Sequence, residues 1–304
     1  MVCNDKDAEG AMSAAEHHSD LRGSTVEIAG GRRLRYVLAG PDVSPRPLVV
    51  LEAGSFGFSA DWAAVQEKLA AVGLRSLAYD RAGLGVSDSG PMPRDSNAIV
   101  ADLEILLASI EEPGPYILCG HSMAGLHVRL FAARNAAAVR AVVLVDATTP
   151  EAMDDPAAAH LVGQFANLSK LAAWGATVGL QRPLAGALGD AIGLPVIAKE
   201  EKRRAFADPA HNRWAAAEVD AWNSDAAEAR AAAPYDPAWP VAVLLTGDGR
   251  QPLARHAVQL APARASRHGF VFHVPGSNHA SMLGERHAGH IVRAILQVEA
   301  AAKA

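Results

Sequence analysis

The stretch Tyr116-Ile117-Leu118-Cys119-Gly120-His121-Ser122-Met123-Ala124-Gly125 decides how this chain is read. Its first four residues are a short apolar run, as a strand buried on both faces requires. The last six fit G-x-S-x-G, and residues 126–134 beyond them have helical character. A serine on a sharp turn between strand and helix stands in the position of a nucleophile. Such a turn needs small neighbours, because a side chain at either glycine would collide with its backbone, and the helix dipole favours negative charge developing at the serine.

Working outward, similar apolar runs predict strands at 24–29, 33–39, 48–51, 74–79, 116–119, 141–146, 241–246 and 270–274. Segments of helical period lie between them. From 97 to 110, Ile99, Leu103, Leu106, Leu107 and Ile110 recur at spacings of three and four, an apolar stripe on one helical side. This alternation predicts an α/β domain with a mostly parallel eight-stranded sheet flanked by helices. Between 150 and 240 it stops, and the chain becomes Ala-rich and helical. The expected organisation is a flexible tail at 1–20, a core of 21–149 and 241–304, and a helical cap inserted at 150–240.

Composition narrows the function. With 304 residues, half of them hydrophobic and 20% charged, the chain can bury a full core. Against 33 acidic residues stand 28 Lys plus Arg, a net charge of -5 that offers no basic field for nucleic acid or anionic lipid. Two cysteines, Cys3 and Cys119, have neither the number nor the spacing for a disulfide framework or a zinc cluster. No signal-peptide pattern and no apolar run of the roughly 18 residues that a membrane helix needs is found, so a soluble cytoplasmic protein is expected. A phosphate-binding loop is absent, Gly83 and Gly85 make an incomplete dinucleotide fingerprint, and no His or Cys cluster has metal-ligand spacing. Neither cofactor nor metal is expected.

A serine hydroxyl requires a base, and the base an orienting acid. Among twelve histidines, His279 follows the run Phe270-Val271-Phe272-His273-Val274 through the turn Pro275-Gly276-Ser277-Asn278, a strand-end loop able to aim an imidazole. Two acids are candidates. Asp146 ends the run 141–145, beside the nucleophile's own strand, and Asp248 lies in Thr246-Gly247-Asp248-Gly249-Arg250. Trp174, Trp214 and Trp222, in the insertion, are candidates for lining an apolar substrate pocket. The run Lys199-Glu200-Glu201-Lys202-Arg203-Arg204 reads as a solvated helical face.

These features together resemble the α/β-hydrolase superfamily with a helical cap, over roughly residues 21–300. The resemblance is carried by Leu51-Glu52-Ala53-Gly54-Ser55-Phe56-Gly57, by Tyr79-Asp80-Arg81-Ala82-Gly83-Leu84-Gly85-Val86-Ser87-Asp88, by the Ser122 turn and by Asn278-His279. It implies an oxyanion hole made by the backbone N–H groups of Ser55 and Met123. Ala53 stands where the family usually has histidine, which changes how that loop is braced, and Glu52 is expected in a salt bridge with Arg81. The family places its acid after the sixth or the seventh strand. In the strand-seven pattern the aspartate comes three residues after a glycine, where this chain has Arg250, so Asp146 is favoured. The resemblance implies a serine hydrolase cleaving small-molecule carboxylic esters through an acyl-enzyme. Lactones, amides and carbon-carbon bonds beside a ketone are open to the same residues, and a non-catalytic ligand receptor on this fold is the alternative of another class. Family members acting on haloalkanes and epoxides carry aspartate at the elbow, against which Ser122 argues. The sequence leaves the oligomeric state open.

Overall fold

Each of the eight apolar runs forms a strand in the computed structural model, which describes residues 22–180, 191–247 and 257–303. The strands are β1 (Ser24–Glu27), β2 (Arg33–Ala39), β3 (Leu48–Glu52), β4 (Ser76–Tyr79), β5 (Tyr116–His121), β6 (Val139–Val145), β7 (Val241–Thr246) and β8 (Gly269–Val274). They make one sheet in the order β1-β2-β4-β3-β5-β6-β7-β8. Only the β1/β2 and β2/β4 pairings are antiparallel. All residues of β3 and β5 are buried, which explains why their runs at 48–51 and 116–119 are continuously apolar rather than alternating.

The two faces of the sheet build two cores. Val50, Leu118, Leu144 and Val243 face one way, onto α2 (Ser96–Ser109) and α3 (Ala124–Arg134), through Leu103, Leu106 and Phe131. Val49, Ile117, Val143 and Leu244 face the other, onto α1 (Ala63–Ala71) and α9 (Ala288–Ala301), through Leu69, Ile291 and Ile295. The helix expected at 97–110 is α2, capped by the Asp95 carboxylate, which accepts from the Ala98 N–H at 2.9 Å.

Among the described residues, the segment 150–240 holds helices and no strand: α4 (Pro156–Thr177), α5 (Val196–Ala207), α6 (Pro209–Asp220) and α7 (Trp222–Ala231). The chain re-enters the sheet at β7, and helix α8 (Ala257–Ala265) lies between β7 and β8. Proline at the first turn and an aspartate N-cap start both α4 and α6, through Asp155 and Asp208. No helix among the described residues is long and apolar enough to cross a membrane. The expected tail at 1–20 lies outside the described residues, as does Asp248.

Strand register brings Ser122 and Asp146 to the same edge of the sheet. In the parallel β5/β6 pair His121 stands opposite Val145, so each of the two is the next residue beyond one of two adjacent strand ends. Both take a left-handed backbone, with φ of 58° and 43°. Ser122 is forced into that conformation by the turn, in which the Ser122 carbonyl accepts from both Gly125 N–H and Thr148 N–H. A Cβ on Gly125 would sit 2.3 Å from the Thr148 carbonyl oxygen, so only glycine lets the turn close.

Candidate active site

Ser122 is buried at the head of α3, and His279 reaches it from the loop after β8. The Asn278 side chain accepts from the backbone N–H groups of Ala280 and Ser281, a tight turn that fixes the neighbouring imidazole. His279 Nε2 lies 2.9 Å from Ser122 Oγ, and His279 Nδ1 lies 2.7 Å from Asp146 Oδ2. With the carboxylate accepting at Nδ1–H, Nε2 is left to accept the serine proton. Burial pushes the Asp146 carboxyl up, but its hydrogen bond and charge interaction with His279 outweigh that and hold it below the ordinary range. Ser122, His279 and Asp146, three expected residues from far apart in the sequence, thus form one hydrogen-bonded chain.

His121, the x residue before the nucleophile, has a contact that the motif does not announce. Its Nε2–H donates to the His279 carbonyl at 3.0 Å, and the two rings lie 4.6 Å apart. Burial, with the neighbouring His279 adding to it, pushes the His121 imidazole down to about 3, so it donates as a neutral ring.

The loop 53–57 comes up against Ser122 from the end of β3. Gly54 packs so closely that a Cβ there would lie 2.8 Å from the Ser122 Cβ. Among the described residues no hydrogen bond takes up the backbone N–H of Ser55 or Met123. Two buried cations hold the loop's carbonyls instead of a histidine at position 53. Arg81 donates to Ala53 O at 2.6 Å and to Gly54 O at 2.9 Å, and Lys202 Nζ donates to Phe56 O at 2.9 Å. The Gly54 carbonyl belongs to the same peptide unit as the Ser55 N–H, so the guanidinium fixes the direction in which that N–H points. The Glu52 to Arg81 pair is present at 2.8 Å, and Arg81 is paired as well with Glu218 of α6 at 2.8 Å.

Lys202 and Glu218 come from the insertion, and Lys202 corrects the reading of its charge run. Glu200, Arg203 and Arg204 do form an exposed network on α5. Glu201 and Lys202, on the helix's other side, are buried: Glu201 pairs with Arg35 and Arg22, and Lys202 pairs with Asp61 at 2.8 Å. Composition alone does not say which face of a charged helix meets the core; buried partners on β2 and beside α1 do.

A cavity of about 200 Å³ opens on Ser122. Its described lining includes Ser55, His279, Ile192, Lys202, Phe206 and Leu283. None of the three tryptophans expected there lines it. Trp174 is 62% exposed on α4, Trp214 packs over Gly83, and Trp222 is buried against Met123 and Leu126. Trp214 and Trp222 serve the insertion's seat on the core, while Phe206 and Ile192 of the same insertion reach the cavity. No cluster of metal-ligating side chains occurs among the described residues.

Comparison with known proteins agrees with this architecture. Residues 48–290 match the model of the Alpha/beta hydrolase family. The chain belongs to that family. A monoacylglycerol lipase of Mycolicibacterium smegmatis is 34% identical over 119 residues, 38% of this chain and 42% of the lipase. An AB hydrolase superfamily protein of Gibberella zeae is 30% identical over 118 residues, 38% of this chain and 36% of that protein. The chain spans less than half the length of the curated relatives it matches. Among solved structures, the enol-lactonase of Burkholderia xenovorans LB400 superposes with a TM-score of 0.63 at 20% identity, over 90% of this chain and 99% of the lactonase. A putative epoxide hydrolase of Pseudomonas aeruginosa, solved as a mutant, gives 0.71 at 20% identity, over 92% of this chain and 97% of its own. At such identities the likeness is one of fold.

Proposed function

We propose that this α/β hydrolase is a serine hydrolase that cleaves small carboxylic esters through an acyl-enzyme. The observation that carries the reading is the chain Asp146–His279–Ser122, with contacts of 2.7 and 2.9 Å, ending on a serine at the head of a helix. Ser122 Oγ attacks the ester carbonyl while His279 Nε2 takes its proton. The oxyanion so formed accepts from the N–H groups of Ser55 and Met123. On collapse, the imidazolium, stabilised by Asp146, protonates the leaving alcohol, and water then releases the acid by the same steps. Serine rather than aspartate at position 122 favours acyl transfer over the alkyl-enzyme route to haloalkanes or epoxides.

The test is a fluorophosphonate probe with intact-mass detection, together with turnover of short nitrophenyl esters. A single adduct on Ser122 is expected, and Ser122→Ala should lower kcat by about 10⁴-fold or more with the fold retained. A folded S122A protein retaining above a tenth of the activity overturns the reading.

A further inference from the structure

Lys202 plays no part in the acyl-transfer steps above, yet it is 3% exposed and lines the cavity that opens on Ser122. Among the described lining residues it is the only lysine or arginine. An ammonium carries three N–H donors. Two are taken, by Phe56 O at 2.9 Å and by Asp61 Oδ2 at 2.8 Å. No oxygen or nitrogen among the described residues accepts the third; the rings of Phe206 and Phe58 flank the ammonium at 4.8 and 5.0 Å. Ring faces are weak acceptors beside an oxygen. The described lining also includes apolar Ile192, Phe206 and Leu283, together with the Asp61 carboxylate already bonded to the ammonium.

Resting on the proposed serine-hydrolase reading, we propose that Lys202 is a specificity-determining residue that selects esters whose acyl arm carries a neutral oxygen acceptor, an ether, hydroxyl or keto oxygen. The acyl arm is the one concerned for a chemical reason. The leaving alcohol takes its proton from His279 and so lies on that side, whereas Lys202 is bound to the loop after β3. Neutrality follows from the charges that surround the ammonium. Asp61 already balances it, Asp80 is paired with Arg35, Arg81 is paired with Glu52 and Glu218, and His121 and His211 are both pushed by burial to about 3 and carry no charge. A carboxylate on the substrate would bring an uncompensated negative charge next to Asp61.

The experiment uses isosteric pairs of nitrophenyl esters in which one CH2 is replaced by oxygen: methoxyacetate against butanoate, 3-methoxypropanoate against pentanoate, and 4-methoxybutanoate against hexanoate. Each kcat/KM is divided by the ester's alkaline hydrolysis rate to remove intrinsic reactivity. The full-length wild type should favour the ether by about tenfold or more in at least one pair, the expected worth of a hydrogen bond from a charged donor. In Lys202→Met that ratio should fall to near one. A Lys202 that only braces the Phe56 carbonyl would slow both members of a pair alike and leave the ratio standing. No ether preference in the wild type overturns the proposal, and so does a preference that survives in K202M. Should the single variant not fold, K202M/D61N removes both charges together and carries the same expectation. Absence of both turnover and Ser122 labelling is a different result: it overturns the serine-hydrolase reading, and this proposal with it.

Discussion

At the ends of β5 and β6, adjacent backbone in register delivers Ser122 and Asp146 side by side. Between the core and the insertion, by contrast, charged side chains far apart in sequence meet in buried pairs: Arg81 with Glu218, Arg35 with Glu201 and Lys202 with Asp61. The first arrangement needs only hydrophobic strands and two tight turns, because the sheet itself sets the spacing. The second depends on individual partners, since a buried charge without its counter-charge is heavily penalised. The outer side of the insertion differs from both. On α4, Leu161, Leu168, Leu171 and Trp174 are each more than 60% exposed.

The largest expected effect belongs to the register-built site. Asp146→Asn keeps the side chain's shape but removes the charge that holds His279 Nδ1–H, and should cost up to about 10⁴ in kcat. Asp248→Asn should retain most activity. The measurement is kcat/KM for both folded amide variants on one activated ester; a loss of three orders of magnitude in D248N with D146N active would reverse the assignment.

A smaller effect, on stability, should separate the buried pairs from the surface ones within the same insertion. Glu218→Ala leaves the Arg81 guanidinium, 1% exposed, with Glu52 as its remaining carboxylate, and should destabilise by about 3 to 5 kcal/mol in urea unfolding. Glu200→Ala, in the exposed network of α5, should shift the midpoint far less. Equal midpoints would remove the distinction between the two kinds of charge.

This difference also explains what was legible in the sequence. Strands announce themselves because burial on both faces demands continuous apolar runs, and Ser122, His279 and Asp146 each come after such a run by a turn. Lys202 carries no comparable signal. It sits in a run of six charges whose i,i+3 and i,i+4 pairs are satisfied on the helix surface, and the partners that bury it lie more than a hundred residues away. His121 occupies the unspecified place in G-x-S-x-G, so only the fold reveals its bond to the His279 carbonyl. The tryptophans misled for the opposite reason: a large aromatic residue signals apolar surroundings without saying whether they are a pocket, a helix interface or none.

Asp225, on α7, gives an intermediate effect with a definite sign. Its carboxyl accepts from the Ser96 N–H at 2.7 Å, and burial, working against that bond, pushes it up to about 8. An unfolded aspartate titrates near pH 3.9, so from about pH 4 to 8 the folded protein binds the extra proton and stability falls as pH rises. Asparagine keeps the acceptor and removes the titration. Asp225→Asn should therefore match the wild type near pH 4 and melt higher by about 5 °C at pH 8. Parallel melting curves across that range would show that the carboxyl titrates normally.

The smallest effect tests the outer side of the insertion. Trp174 is 62% exposed and lies beside Met92, Lys170 and Arg213, residues that are not among the described lining of the Ser122 cavity. Trp174→Ala removes apolar surface that is already mostly in water, so it should change stability by no more than about 0.5 kcal/mol. It should also leave acyl-chain preference as it was, because no atom of Trp174 borders the space an acyl arm fills. Phe206→Ala is the matched comparison: Phe206 lines the cavity, and its loss enlarges it, so longer acyl chains should gain relative to short ones. Both are read from kcat/KM over a series of nitrophenyl esters from acetate to octanoate. A shifted profile in W174A with an unshifted one in F206A would mean that substrate approaches along the outer side of α4, and that the exposed stripe there belongs to the binding surface.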